Sequence, residues 1–484
     1  MAIIFFILIL TASIIVAIIS KRRAGAQNIK DYLTASRSFG SIFIFFLGIG
    51  ETYSIGMMTA FPGGIYHSGY PFASWFLSYV LLAYPVGYFL TPRIWQLARN
   101  TNAATVPDIF RKVFNSRALE ITVAFNIILF MIPWATIQFS GLTLVLSGLN
   151  IVSSRWLLML TAGGIVFLYI AISGIRASAY VSVMKDLLVL FIIGTIVMAL
   201  LKTDNPATLF QIGTDELHNT GISGRQESFA MSTMFFQAIG LPIFPLSCAY
   251  LMTARSARTV MRAQIFMPLY MVIFPFMMLI AFYAKYHHLA LTSPNDAFIE
   301  TVKTLLPPAM IGIVAGGAAL SALVVLSGTC LVIGSLVARN LVPGLPENHQ
   351  KTTSQMVIML YIVVSMILAT MVPTLVSHLY NMTYFGVTQL LPCFLLAILS
   401  IRARPRALCA GIILGDAVGC GLYLSGIDTL GINPGLIGLV ANTAIVFLAG
   451  NCQRPQKVRH HAEQEYIVIK ENWTDRPLST SSGS

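Results

Sequence analysis

The sequence predicts an all-α polytopic membrane protein of about thirteen transmembrane helices, and three observations carry that prediction. Of 484 residues, 56% are apolar and only 10% are charged, with a mean hydropathy of +0.79; a soluble domain carries about 25% charged residues. The apolar residues form long runs, each near the roughly 20 residues that a helix needs to cross a bilayer. The 30 Lys and Arg sit in short clusters between those runs. A water-soluble enzyme is excluded by this composition. So is a disordered chain, which needs low hydropathy and high net charge.

The runs lie near residues 2–20, 40–62, 70–92, 119–147, 155–174, 180–202, 228–251, 264–285, 308–337, 355–376, 383–401, 406–426 and 433–450, and are numbered here as segments 1 to 13. Segment 1 has no basic residue before its apolar core, and Lys21-Arg22-Arg23 follow it. That order is wrong for a cleaved signal and suits a retained helix with its N-terminus outside. Five basic residues would then face outward (Arg155, Lys202, Arg225, Lys285 and Lys303) and Lys185 would lie inside a span, leaving 24 of the 30 on the inner side. Such a bias fixes orientation and accounts for the net charge of +12 without nucleic acid. Residues 1–450 read as one transmembrane domain. Residues 451–484, polar and ending in Ser-Thr-Ser-Ser-Gly-Ser, read as a disordered cytoplasmic tail. The six cysteines form no CxxC pair and the eight histidines no HExxH, so no metal or cofactor is expected.

Two segments are interrupted. Segment 2 reads Gly48-Ile49-Gly50-Glu51-Thr52-Tyr53-Ser54-Ile55-Gly56, and segment 7 reads Gln237-Ala238-Ile239-Gly240-Leu241-Pro242-Ile243-Phe244-Pro245. Backbone freed from a helix is costly in lipid unless it lines a cavity or binds something. Transporters place such broken helices at matching positions of two inverted repeats. The repeats would be segments 2–6 (about 40–202) and 7–11 (about 228–401), with helices 1, 12 and 13 outside them. Freed carbonyls favour cations and half-helix N-termini favour anions.

The chain resembles the sodium:solute symporter family on Asp31-Tyr32-Leu33 with Arg37-Ser38-Phe39-Gly40, Phe61-Pro62-Gly63-Gly64-Ile65-Tyr66 with Gly69, Thr105-Val106-Pro107-Asp108 and Ser173-Gly174-Ile175-Arg176-Ala177. Within it, Gly50-Glu51-Thr52-Tyr53-Ser54, Lys185-Asp186, Ala338-Arg339-Asn340-Leu341 and Gly386-Val387-Thr388-Gln389-Leu390-Leu391-Pro392 are similar to a branch that includes monocarboxylate permeases. The resemblance implies thirteen helices and a five-plus-five inverted repeat of the LeuT type. It also implies sodium held by carbonyls of Gly50 and Tyr53, with Ser321 adding another and paired hydroxyls on segment 9. Those hydroxyls fall on Val324 and Val325. Valine offers no side-chain oxygen to a hard cation that wants several, and Ser327 and Thr329 lie a turn away.

Lys185, about 7 Å into segment 6, is placed to replace the sodium charge with an ammonium, as a lysine does in proton-coupled transporters similar in fold. Glu51 or Asp186 would be its partner; a lysine snorkelling to the interface is the competing reading. Glu51 is an ionisable group at mid-membrane depth and a site candidate on that ground. Solute contacts are expected from Glu51, Tyr53, Ser54, Met57, Trp134, Gln138, Gln237 and Gln389, polar groups and packing partners in an apolar pocket. Ion coupling is expected from Gly50, Glu51, Tyr53, Lys185, Asp186, Ser321 and Ser327. Asp416 reads as structurally paired, and Glu120 and Asp428 as interfacial.

The function expected is cation-coupled symport, by sodium or protons, of a small organic solute such as a monocarboxylate. An amino acid or other metabolite is the second substrate class, and a non-transporting sensor the second class of function. A channel lacks the charged pore it needs, and no catalytic motif is present. The protein is placed in a bacterial inner membrane as a monomer or weak oligomer.

Overall fold

The computed structural model describes residues 1–23, 35–149, 154–172, 175–342, 344, 346–371 and 376–453. The motif residues Asp31-Tyr32-Leu33 and Ser173-Gly174, and the tail from 454, lie outside them. The side chains of Lys21, Arg22, Arg23, Glu51, Ile175, Arg176 and Ala177 do as well.

Among the described residues ten helices are long and apolar enough to cross a membrane, or eleven when the bent pair in segment 2 counts as one. The shorter apolar helices Trp156–Ile170 and Pro434–Ala449 occupy segments 5 and 13. All thirteen apolar segments are thus helical, ten or eleven of them long enough to cross a membrane and two shorter. Shorter helices cover the ends of the bundle: Val106–Phe114 between segments 3 and 4, Pro206–Thr220 between 6 and 7, and Ala297–Leu305 between 8 and 9. Local signals set their ends. The Thr105 hydroxyl accepts from the Asp108 N–H, and Ser223 with Gln226 forms a capping box at the start of segment 7.

Segments 9 and 11 form the middle of the bundle. Of their most apolar windows 78% and 83% is buried, against 17% for segment 1 and 33% for segment 12. Segment 1 lies across segments 6 and 9, with Gly312 against the Ala2 backbone. Segments 12 and 13 form a tight hairpin that packs on segments 4 and 11. A Cβ at Gly438 would overlap the Gly415 carbonyl oxygen of the facing helix, and backbone cannot swing aside as a side chain does. Gly438→Ala is expected to destabilise the hairpin by about 1–3 kcal/mol, read as a lower thermal-unfolding midpoint in detergent.

The two interruptions differ. Segment 2 runs as Ser41–Thr52 and Ile55–Ser68, bent by 48°. Tyr53 (ψ 65°) and Ser54 (ψ 173°) leave the helical region between them. Segment 7 runs as Gly224–Gly240, a 3-10 turn Leu241–Ile243, and Pro245–Leu251. Only Phe244 is extended, with ψ 135°. Pro245 opens the second half, where its missing N–H costs nothing. Segment 7 is thus interrupted as expected, yet it passes as one span, Gly224–Leu251.

Candidate functional site

The bend in segment 2 frees the Tyr53 carbonyl, and a side chain from segment 6 takes it. The Lys185 ammonium donates to that oxygen at 3.2 Å and pairs with the Asp186 carboxylate at 2.5 Å. Both side chains are fully buried, at 0% exposure. Lys185 therefore does not snorkel to the interface. Gly50 makes the approach possible: a Cβ there would lie 2.8 Å from the Ser182 hydroxyl and 3.4 Å from the Lys185 nitrogen. Ser182 donates to the Phe46 carbonyl at 2.8 Å, which ties segment 6 to the first half of segment 2. Segment 8 closes the arrangement. The Tyr53 hydroxyl donates to the Tyr270 carbonyl, and the Tyr270 hydroxyl to the Asp186 carbonyl, each at 3.0 Å.

A second polar layer lies between the two interruptions. Gln138 donates to the Ser54 hydroxyl at 3.3 Å, and Tyr380 turns its hydroxyl toward Ser54 beside Gly56. Trp134, one turn before Gln138, meets Tyr380 edge-on at 5.3 Å and Phe244 at 4.9 Å. Gln237 donates to Asn381 at 2.7 Å, and Gly240 lies against Thr388 and Tyr384. Five buried polar atoms of this layer have no hydrogen-bond partner: Trp134 Nε1, Gln138 Oε1, Gln237 Oε1, the Tyr380 hydroxyl and Thr388 Oγ1. Buried polar groups are nearly always paired, so five orphans in one layer mark it as a candidate solute site. Met57, with Tyr53 and Ser54, lines a small apolar void.

A cleft of about 510 Å³, counting its open mouth, reaches the interruptions from one end of the bundle. Gly48 and Thr52 of segment 2, Tyr84 of segment 3, and Leu241 and Pro242 of segment 7 line it. Trp134, Gln138 and Tyr380 do not. Arg93, Arg255, Arg258 and Arg262 belong to the same end of these helices.

Other expected residues are placed elsewhere. Ser327 shares a hydrogen bond with Ser178 at 2.9 Å and donates to the Val324 carbonyl. Ser321 donates to Gly317 one turn back, and Val324 and Val325 are buried. Gln389 donates to the Phe385 and Gly435 carbonyls and accepts from Asn442. It braces segment 13 and does not join the polar layer. Asp416 accepts from Asn126 of segment 4 at 2.8 Å. The Glu51 backbone is helical; its side chain lies outside the described residues. No group of three His, Cys, Asp or Glu side chains among the described residues could hold a metal ion.

One cluster is not legible in the sequence as a unit. Segment 9 ends in a π-helical turn, Leu336–Leu341, which presents Arg339 and Asn340 to the connection between segments 3 and 4. Asn340 donates to Asp108 at 2.7 Å and to Glu120 at 2.8 Å, and accepts from Thr105 at 2.9 Å. Arg339 pairs with Asp108 at 3.0 Å, and Arg111 and Arg117 pair with Glu120 at 2.9 and 2.7 Å. Glu120, in the first turn of Arg117–Gly148, is 1% exposed and buried within this cluster. Tyr380, Asn381 and Thr388 also escaped sequence reasoning: Thr388 is an ordinary polar residue in an apolar run, and Tyr380 and Asn381 precede the run 383–401, whereas the helix begins at Val376.

The profile described as the sodium:solute symporter family matches residues 32–415. The Bacillus subtilis protein named uncharacterized symporter YhjB is 25% identical over 462 residues, covering 89% of this chain and 93% of its own. A Rhizobium johnstonii protein named monocarboxylate transport permease is 23% identical, covering 94% and 96%. A solved Na+-coupled sialic acid symporter, in a substrate-bound outward-open state, shares the fold with a TM-score of 0.74. It covers 94% of this chain and 99% of its own at 15% identity.

Proposed function

Because this chain belongs to the sodium:solute symporter family, a family of multi-pass membrane transporters and not of enzymes, we propose that it carries a small organic anion, a monocarboxylate, together with a proton. The observation that carries the solute site is the layer of five partnerless polar atoms between the interruptions. The Trp134 N–H is an orphan donor, the Tyr380 hydroxyl turns toward Ser54 beside Gly56, and the N-terminus of Ile55–Ser68 directs free N–H groups and positive partial charge at the same layer. These are donors for a carboxylate. The name of the Rhizobium relative supports the same class.

Coupling is read from Lys185. Its ammonium takes the Tyr53 carbonyl that a sodium ion would use, while Val324 and Val325 supply no hydroxyl. With its buried carboxylate partner Asp186, Lys185 is the group to which we assign the coupled proton. The thirteen segments would be thirteen spans in a five-plus-five repeat, with the N-terminus outside, as the basic loops argue. The cleft then opens to the cytoplasm.

The test is uptake of a labelled three-carbon monocarboxylate into proteoliposomes under a proton gradient and, separately, a sodium gradient. Uptake is expected with the proton gradient in sodium-free buffer. An absolute need for sodium would overturn the proton reading. Trp134→Phe keeps an aromatic ring, removes the N–H with the five-membered ring that bears it, and is expected to raise KM at least about tenfold, the worth of one hydrogen bond. An unchanged KM would remove Trp134 from the site.

A further inference from the structure

We infer that Asp416 is a proton-binding site in the membrane, separate from Lys185–Asp186, and that its proton is shared with the Asn126 side-chain amide. Asp416 is the twelfth residue of the helix Pro405–Ser425, about 16 Å from its start and so near mid-membrane. Asn126 faces it from segment 4 and donates Nδ2–H to Asp416 Oδ2 at 2.8 Å. The remaining oxygen on each side, Asp416 Oδ1 and Asn126 Oδ1, is buried and partnerless.

A carboxylate would leave this pair with two unpaired acceptors and no donor between them, and with an uncompensated charge in the apolar layer. Among the described residues no Lys, Arg or His forms an ion pair with Asp416. Cys420, one turn along the same helix, and Cys409 and Tyr423, two turns to either side, are the titratable groups that share its face. A protonated carboxyl removes both faults. It gains one O–H donor, which meets Asn126 Oδ1 while the amide N–H meets the carboxyl oxygen. Acid and amide then close a ring of two hydrogen bonds, with every polar atom satisfied. A sodium ion fits poorly, since a hard cation gathers more oxygens than the two left over here. The proton clips segment 12 to the helix that carries Trp134 and Gln138.

The measurement is the infrared difference spectrum, at pH 7, between the full-length protein in lipid vesicles and its D416N variant. Asparagine retains a donor and an acceptor for Asn126, so the pair survives the exchange. The expected result is loss of one C=O stretch of an un-ionised carboxylic acid. Loss of a carboxylate stretch overturns the inference. Should D416N not fold, the unaltered protein is treated with dicyclohexylcarbodiimide, which reacts with protonated carboxyls in apolar surroundings, and digested for mass spectrometry. An adduct on Asp416 at pH 7 upholds the site; an Asp416 peptide recovered without one overturns it.

Discussion

Lys185→Met is expected to abolish gradient-driven uptake and to lower stability by about 3–5 kcal/mol, the cost of removing one partner from a buried ion pair. The magnitude follows from placement. Lys185 and Asp186 are both fully buried, so the variant leaves a bare carboxylate in the protein interior and a bare carbonyl at Tyr53. A companion variant separates stability from coupling. Lys185→Met with Asp186→Leu removes both charges, and apolar replacement of a buried pair is often neutral or stabilising. That double variant is expected to recover most of the lost unfolding midpoint and none of the uptake. Uptake at the normal rate in the double variant would assign the pair to folding alone.

Asn340→Leu is the second large effect. The Asn340 amide donates to two carboxylates at once, Asp108 and Glu120. A hydrogen bond to a charged group contributes about 1.5–3 kcal/mol, so losing both is expected to cost about 3–6 kcal/mol. The two acids would also face each other without their shared donor. The result is read as reduced yield of monodisperse protein and a lower unfolding midpoint. A change near zero would mean that Arg339, Arg111 and Arg117 hold the connection without the amide.

The sequence made the helices legible because hydropathy reports the bilayer directly. It made the bend at Tyr53–Ser54 legible because glycines and a carboxylate interrupt that run. It also gave the depth of Lys185, since depth is a count along a helix. Direction around the helix was not legible. Whether Lys185 turned to lipid, to the interface or to the Tyr53 carbonyl depends on segment 2, more than 130 positions away. Gln389 misled for the same reason: a glutamine on a central helix looks like a solute contact until Asn442 and Gly435 of segment 13 are seen to hold it. Asp108, Glu120 and Asn340 were invisible as a cluster because more than 200 residues separate the partners. Segment 7 remains one span despite two prolines, because only Phe244 leaves the helical region between the 3-10 turn Leu241–Ile243 and the helix that Pro245 opens.

The ammonium–carboxylate couple at the bend has an electrical consequence. A membrane voltage does work only on net charge, about 2.3 kcal/mol per elementary charge per 100 mV. Lysine and aspartate side by side sum to zero, and so do one monovalent anion and one proton travelling together. Under the proposed coupling the cell's potential neither drives nor opposes the cycle, and accumulation is set by the acidity difference across the bilayer alone.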